Sequence, residues 1–315
     1  MKNFTNKANV QGYVFSHNLA ARVSKKGVPY IGGKLNIATD DAATNVVPVD
    51  FTYVTETFKS GKPNDTYTTL MEIINGTDTY ETVGTDAPRV RVDGRVGVND
   101  FVTRDGELAS PKRVEGAFAH FMTPAEKTNE RPATFNFDML ISNCAVRESN
   151  ITEKEYAELS GYAFNFRGDL LPVTVQVSNE QGMNYFVDQD ISSKNPMLTN
   201  VWGQIISNII EIAHETESAW GGPVANVTTR TIRSWDVTGS SAEPMEFDDD
   251  STITKKELKA ALAAREEHLA EVKKNHDDYI ASRESGKSAF AESPATKASV
   301  PFDSGSDDED DDFDF

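Results

Sequence analysis

The sequence predicts a mainly β protein with two β-rich modules, one late helix and a charged end. Three observations predict it. Short apolar runs bounded by turn residues follow one another closely between residues 9 and 122. A second strand-rich stretch covers residues 133–240. From Gly239 the composition changes, first to a linker, then to one helical pattern, and last to an acidic run ending on Phe315.

In order along the chain, Val10–Phe15, Tyr30–Ala38 and Val46–Val54 read as the first three strands. Pro48 belongs at a sheet edge or a bulge, because it cannot donate to a ladder. Tyr67–Ile74 has helical spacing at Leu70, Ile73 and Ile74 and stops at Asn75 and Gly76. Arg89–Val98 alternates with period two. A turn at Arg104, Asp105 and Gly106 leads to strand sequence ending near Phe121. Three strands, a short helix and two strands is the order of an OB-fold, a five-stranded Greek-key barrel. Residues 1–130 are therefore expected to form that barrel.

Residues 131–240 are expected to form a second β-rich module, either another OB-like barrel or a β extension of the first. Phe135–Val146, Gly161–Arg167, Pro172–Val177, Asn184–Val187 and Val227–Val237 fit strands. Thr152–Glu155 matches a capping box that would open a short helix through Leu159. Periodicity leaves Val201–Ser207 open between strand and helix. In residues 241–315, Ser240–Asp250 reads as linker and Thr254–Glu257 as the capping box of a helix running to about Ser282. Its stripe of Leu258, Leu262, Leu269, Val272 and Tyr279 is interrupted by Arg265 and His276. A short coiled coil, an amphipathic helix and a solvated helix packed loosely on the body all fit.

The formal charge of −19 is unevenly placed, with −1 on residues 1–150, −6 on 151–240 and −12 on 241–315. A basic start and an acidic rear suit a protein whose front meets a polyanion. The single cysteine, Cys144, excludes an intramolecular disulfide and a cysteine-rich zinc site. The polar start argues against a signal peptide, and no apolar stretch approaches membrane-spanning length. A cytoplasmic protein without a membrane partner is expected.

No phosphate-binding glycine loop, no dinucleotide fingerprint and no serine nucleophile elbow occurs. The five histidines show no zinc-ligand spacing. The expectation is a binding protein without catalytic residues, metal or cofactor.

The binding pattern is stronger. Alternation puts Arg89, Arg91 and Arg95 on one face of a strand and Val90, Val92 and Val96 on the other. Tyr30 and Lys34 share a face opposite Ile31, Leu35 and Ile37, and Tyr13 and Phe15 share another. Lys25, Lys26, Phe101 and Arg104 fall in or beside the loops that rim an OB groove. Single-stranded nucleic acid requires cations along its backbone and aromatic planes for unstacked bases. The competing assignment puts Tyr13, Phe15, Phe51 and Tyr53 in the barrel core. Phe51, in phase with Val47 and Val49, fits the core best, whereas Tyr30 fits exposure.

The strand Val92–Val96, the following Phe101–Gly106 and the tail Asp307–Phe315 resemble bacteriophage-type single-stranded DNA-binding proteins. That resemblance implies an OB core that coats single strands during phage DNA replication, recombination and repair in the host cytoplasm. It also implies that the tail, here Asp310, Asp311, Asp312, Phe313, Asp314 and Phe315, recruits a polymerase, helicase-primase or recombinase and competes with DNA for the basic groove. The chain departs from the bacterial pattern, since no proline precedes Phe315 and a helix separates tail from core. Residues 131–240 are compatible with a second DNA-binding barrel, a dimer interface in a homo-oligomer, or a spacer. Two other classes remain: an acidic, chaperone-like protein that binds basic partners without DNA, and a Mg²⁺-dependent nucleic-acid enzyme using scattered carboxylates.

Overall fold

The computed structural model describes residues 4–128, 133–149, 153–216, 224–247 and 252–291. Its elements, in chain order, are β1 (Asn6–His17), β2 (Ala20–Val23), β3 (Pro29–Ala38), β4 (Val46–Thr55), α1 (Asp65–Ile74), α2 (Tyr80–Val83), β5 (Arg89–Val98), β6 (Phe101–Val102), β7 (Leu108–Ala109), β8 (Lys112–Phe121), α3 (Pro124–Thr128), β9 (Ala133–Glu148), β10 (Glu155–Phe164), β11 (Leu170–Val177), α4 (Glu180–Val187), β12 (Met197–Thr216), β13 (Val224–Ser240) and α5 (Lys255–Ala291).

Strands β1, β3, β4, β8 and β5 hydrogen-bond in that order, and β5 returns to β1, which closes a five-stranded barrel. The β4–β8 ladder is parallel, pairing Val49 with Val114, and the others are antiparallel. Helix α1 lies between the third and fourth strands in chain order, as the OB order requires. Asn64 caps it by accepting from the Thr66 N–H, and Leu70 and Ile73 bury one face. Gly76, at φ +115°, follows the last turn, where a left-handed backbone favours glycine. Pro48 lies inside the barrel wall, just before β4 begins to pair with β8 at Val49, so its missing N–H breaks no bond to that strand.

The same order recurs in the second half. Strands β9, β10, β11, β13 and β12 form a ring that closes from β12 back to β9, with β11 and β13 parallel and α4 between the third and fourth strands. Two expectations are corrected here. Glu155–Phe164 is strand β10, not the helix that Thr152–Glu155 suggested; Ala157, Leu159 and Ala163 point inward with period two while β9 and β11 pair on either side. Thr152 lies outside the described residues. Asn184–Val187 ends helix α4 instead of forming a strand, because the Asn179 side chain accepts from the Gly182 N–H and Phe186 packs into the barrel. Val201–Ser207 resolves as strand β12.

One apolar core runs through both rings, including Val10, Leu35, Phe51 and Val92 in the first and Phe137, Ile141, Val175 and Trp235 in the second. The rings share a continuous ladder, in which Asn6–Val10 of β1 pair with Phe137–Ala133 of β9. The β12–β13 hairpin also reaches the first barrel. Asn45 Oδ1 accepts from the Ser207 N–H at 2.6 Å and Asn45 Nδ2 donates to the Ile205 carbonyl at 3.3 Å.

Helix α5 starts at the expected capping box, with Thr254 N–H to Glu257 Oε2 at 2.9 Å and Glu257 N–H to Thr254 Oγ1 at 3.2 Å. Leu258, Ala261 and Leu262 pack on Leu140, Phe164, Leu170 and Leu198 of the second barrel. Arg265, an interruption of the apolar stripe in sequence, is an anchor in space. Its guanidinium forms a two-pronged pair with Asp100, and the two side chains are 10% and 9% exposed. No helix is long and apolar enough to cross a membrane among the described residues.

Candidate nucleic-acid interface

The outward face of β3 and β4 carries Tyr30 and Tyr53, whose rings lie 4.5 Å apart at 32°. Tyr53 is 51% exposed. Simple alternation would have put it inside with Phe51. The β3–β4 register shifts between Ile31 and Gly33, so Thr52 and Tyr53 together oppose a shorter stretch of β3. That bulge turns Tyr53 outward. Lys34 follows Tyr30 on the same outward side and lies 3.9 Å from Asp50. Phe51 is buried, as its phase predicts.

Strand β2 continues this surface beside Tyr30, pairing Arg22 with Tyr30. Lys25 and Lys26 stand exposed in its turn, closed by Gly27 N–H to the Ser24 carbonyl. The β6–β7 hairpin holds the exposed Phe101 and Arg104, with Gly106 N–H bonded to the Thr103 carbonyl. Its root lines a groove of about 450 Å³ with the β3–β4 face, formed by Lys34, Asp50, Asn99, Lys112 and Arg113 on the first barrel and Arg233 and Trp235 on the second. Burial pulls the Lys112 ammonium below its ordinary range, its Nζ donates to the Thr174 carbonyl at 2.7 Å, and it lies over the Trp235 ring.

The structure does not gather all the expected residues into one channel. Val90, Val92 and Val96 do point inward and Arg89, Arg91 and Arg95 outward. But β5 neighbours β1 and β8 in the ring, and it stands across the barrel from β3 and β4. Arg91 makes a bidentate pair with Asp93, at 3.0 Å for each bond. Arg95 and Arg113 share Glu115, at 3.0 and 2.8 Å. Arg89 lies over the Tyr13 ring at 4.5 Å.

Tyr13 and Phe15 are likewise corrected. Helix α2 covers the outer surface of β1, so Tyr13 is only 7% exposed and Phe15 stacks on Tyr80. Burial, then the hydrogen bond to Asp41, raises the Tyr13 phenol above its usual range. The Tyr13 ring is closed to a base, and Phe15 is half-buried beside Tyr80.

Sequence reasoning missed two exposed rings near the β5 arginines. Phe118, 60% exposed, stands in a cleft of about 650 Å³ with Lys7, Asn9, Gln11 and Arg91. A register shift between Asp93 and Gly94 on the β5–β8 ladder breaks its phase. Phe166, in the β10–β11 turn, has the Arg95 and Arg167 guanidiniums 6.0 and 5.2 Å from its ring centre. Gly168 marks that turn in the sequence, and the expected strand Gly161–Arg167 stops at Phe164.

Asp100, at the root of the β6–β7 hairpin, is held by α5. Burial alone would push its carboxyl up, but Arg265, the Ser110 hydroxyl and His268 together bring it below the usual carboxylate range. Glu126, after β8, accepts from the Thr123 backbone N–H, pairs with His120 at 2.9 Å and takes the Thr123 hydroxyl, which lowers its carboxyl to about 2. Among the described residues no group of three or more His, Cys, Asp or Glu side chains is placed to hold a metal ion. Asp310, Asp311, Asp312, Phe313, Asp314 and Phe315 lie outside the described residues.

The fold and this surface define a class: a mainly β protein of two joined OB-type barrels, with an open face of paired tyrosines and lysine. The chain belongs to the YorF family, whose model matches residues 5–275. No match is found among curated proteins. Among solved structures, the wild-type single-stranded DNA binding protein from Thermus aquaticus is similar at 11% identity and a TM-score of 0.47, over 79% of this chain and 98% of that one. A deletion mutant of that Thermus aquaticus protein gives 12%, 0.45, and the same two coverages.

Proposed function

We propose that this chain binds single-stranded DNA without sequence preference, through the β3–β4 face of the first barrel. The observation that carries the reading is the outward Tyr30–Tyr53 pair, with Tyr53 exposed, Tyr30 half-buried and Lys34 on the same face. Stacked rings accept any base face, and ammonium groups neutralise phosphates whatever the sequence. Lys25, Lys26, Phe101 and Arg104 extend the surface on the two hairpins. In the same proposal the protein protects single strands during phage DNA replication and recombination. The acidic run Asp310–Phe315 then recruits replication proteins through its terminal phenylalanine; its support is the sequence, a run of like charge that carries two apolar rings.

Titration of poly(dT) by intrinsic fluorescence at several salt concentrations tests the binding reading. Affinity that falls with salt in wild type and drops further in Tyr53→Ala is expected. Absence of binding, or binding indifferent to salt, refutes it. For the tail, a chain truncated before Asp303 is expected to lose replication proteins from a pull-down while keeping its affinity for DNA or gaining some.

A further inference from the structure

The groove between the barrels has no assigned role. Its floor is the outer face of β4 and the start of β8, and its wall is the β12–β13 hairpin. The Asn45–Ser207 and Asn45–Ile205 bonds clasp that hairpin to the first barrel and fix the gap. Four cations line it: Lys34, Lys112, Arg113 and Arg233. Among the described residues, Asp50 is the one acid in the lining, and Glu115 holds Arg113 from outside. Arg233 is exposed on β13, and Trp235, two residues on, is buried against Phe135 and Phe137. The guanidinium is therefore carried on a rigid strand, facing a basic floor that belongs to the other barrel.

We infer that this groove takes the sugar–phosphate backbone of a single strand passing from the first barrel to the second, with Arg233 as the contact the second barrel supplies. The inference rests on the binding function proposed above, and adds that one strand is held by both barrels at once. An aromatic lining would suit bases. Among the described residues this lining is cationic, and its one ring, Trp235, is buried, which suits phosphates.

Two lengths of oligo(dT) separate the inference from the reading beneath it. One of about 8 nucleotides stays within a single barrel, and one of about 30 spans two. With Arg233→Gln, the long oligonucleotide is expected to bind about tenfold more weakly, as for loss of one charged hydrogen bond. Its log–log salt slope is expected to fall by about 0.7, one phosphate contact. The short one is expected to bind as in wild type, which also shows that the variant is folded. Lys194→Gln, on the exposed turn after α4, is expected to change neither. Equal loss at both lengths, or no loss at the long one, overturns the inference while leaving the binding function intact. Wild type that binds neither length overturns both.

Discussion

Replacing Arg265 with methionine tests how α5 is held to the barrels. The substitution keeps the aliphatic stem and removes the guanidinium, leaving the Asp100 carboxylate with Ser110 and His268. Exposed ion pairs contribute about 0–1 kcal/mol, but breaking a buried pair costs about 3–5 kcal/mol because a charge is left unmatched. With side chains 10% and 9% exposed, this pair belongs to the second case. Leu258 and Leu262, the other main anchors, contribute together at most about 3–6 kcal/mol. Losing the pair thus removes roughly half of what docks the helix. Since 1.4 kcal/mol is a factor of ten, amide exchange in residues 255–282 and in the β6–β7 hairpin should accelerate from about a hundredfold to a few thousandfold. Hydrogen-exchange mass spectrometry reads both segments in one experiment. The double variant Asp100→Asn with Arg265→Met should exchange more slowly than the single one, because no buried charge is stranded. Exchange within about threefold of wild type in the single variant, or a double variant worse than the single, refutes the reasoning.

Tyr53→Ala should weaken poly(dT) binding by about 1–3 kcal/mol, the worth of one stacked base, whereas Phe118→Ala, across the barrel, should leave it unchanged in the same titration. The Glu126 carboxyl should titrate with a midpoint near 2, followed by carbon-detected NMR. Its folded value is depressed, so the contribution of its contacts to stability is present above the ordinary carboxylate range and is lost as pH falls through about 2; a midpoint above 4 contradicts the hydrogen bonds described. Gly203→Ala should destabilise the second barrel by about 1–3 kcal/mol in denaturant unfolding, because its methyl group would press on the Asp236 carbonyl and the Phe135 ring.

The first barrel was legible because its strands alternate cleanly and its helix ends at Asn75 and Gly76. Val90, Val92 and Val96 fixed the inward face of β5, and the strand–helix–strand order followed. The second barrel was harder, because two short signals pointed the wrong way. Tyr185, Phe186 and Val187 form an apolar run too short to reveal a helical period, and the Asn179 cap lies well before it. Thr152–Glu155 imitates a capping box, yet the residues after it alternate with period two. Two of the misplaced rings share one cause. Tyr53 and Phe118 lie at ladder irregularities, where one extra residue reverses the face every later side chain takes. Phase counted along a strand cannot register such a shift. Tyr13 was missed for another reason, a cover supplied by α2 from far along the chain. Arg265 looked like a flaw in a stripe because its partner, Asp100, lies 165 positions away.

The ladder between β1 and β9 makes the two barrels one body. A flexible tether would let each wander, and a ligand already caught by one would have to wait for the other to arrive. Here the spacing is set once, when the chain folds, and the entropy of alignment is spent before any ligand comes. A polymer long enough to touch both halves finds the second at a local concentration dictated by geometry instead of linker length.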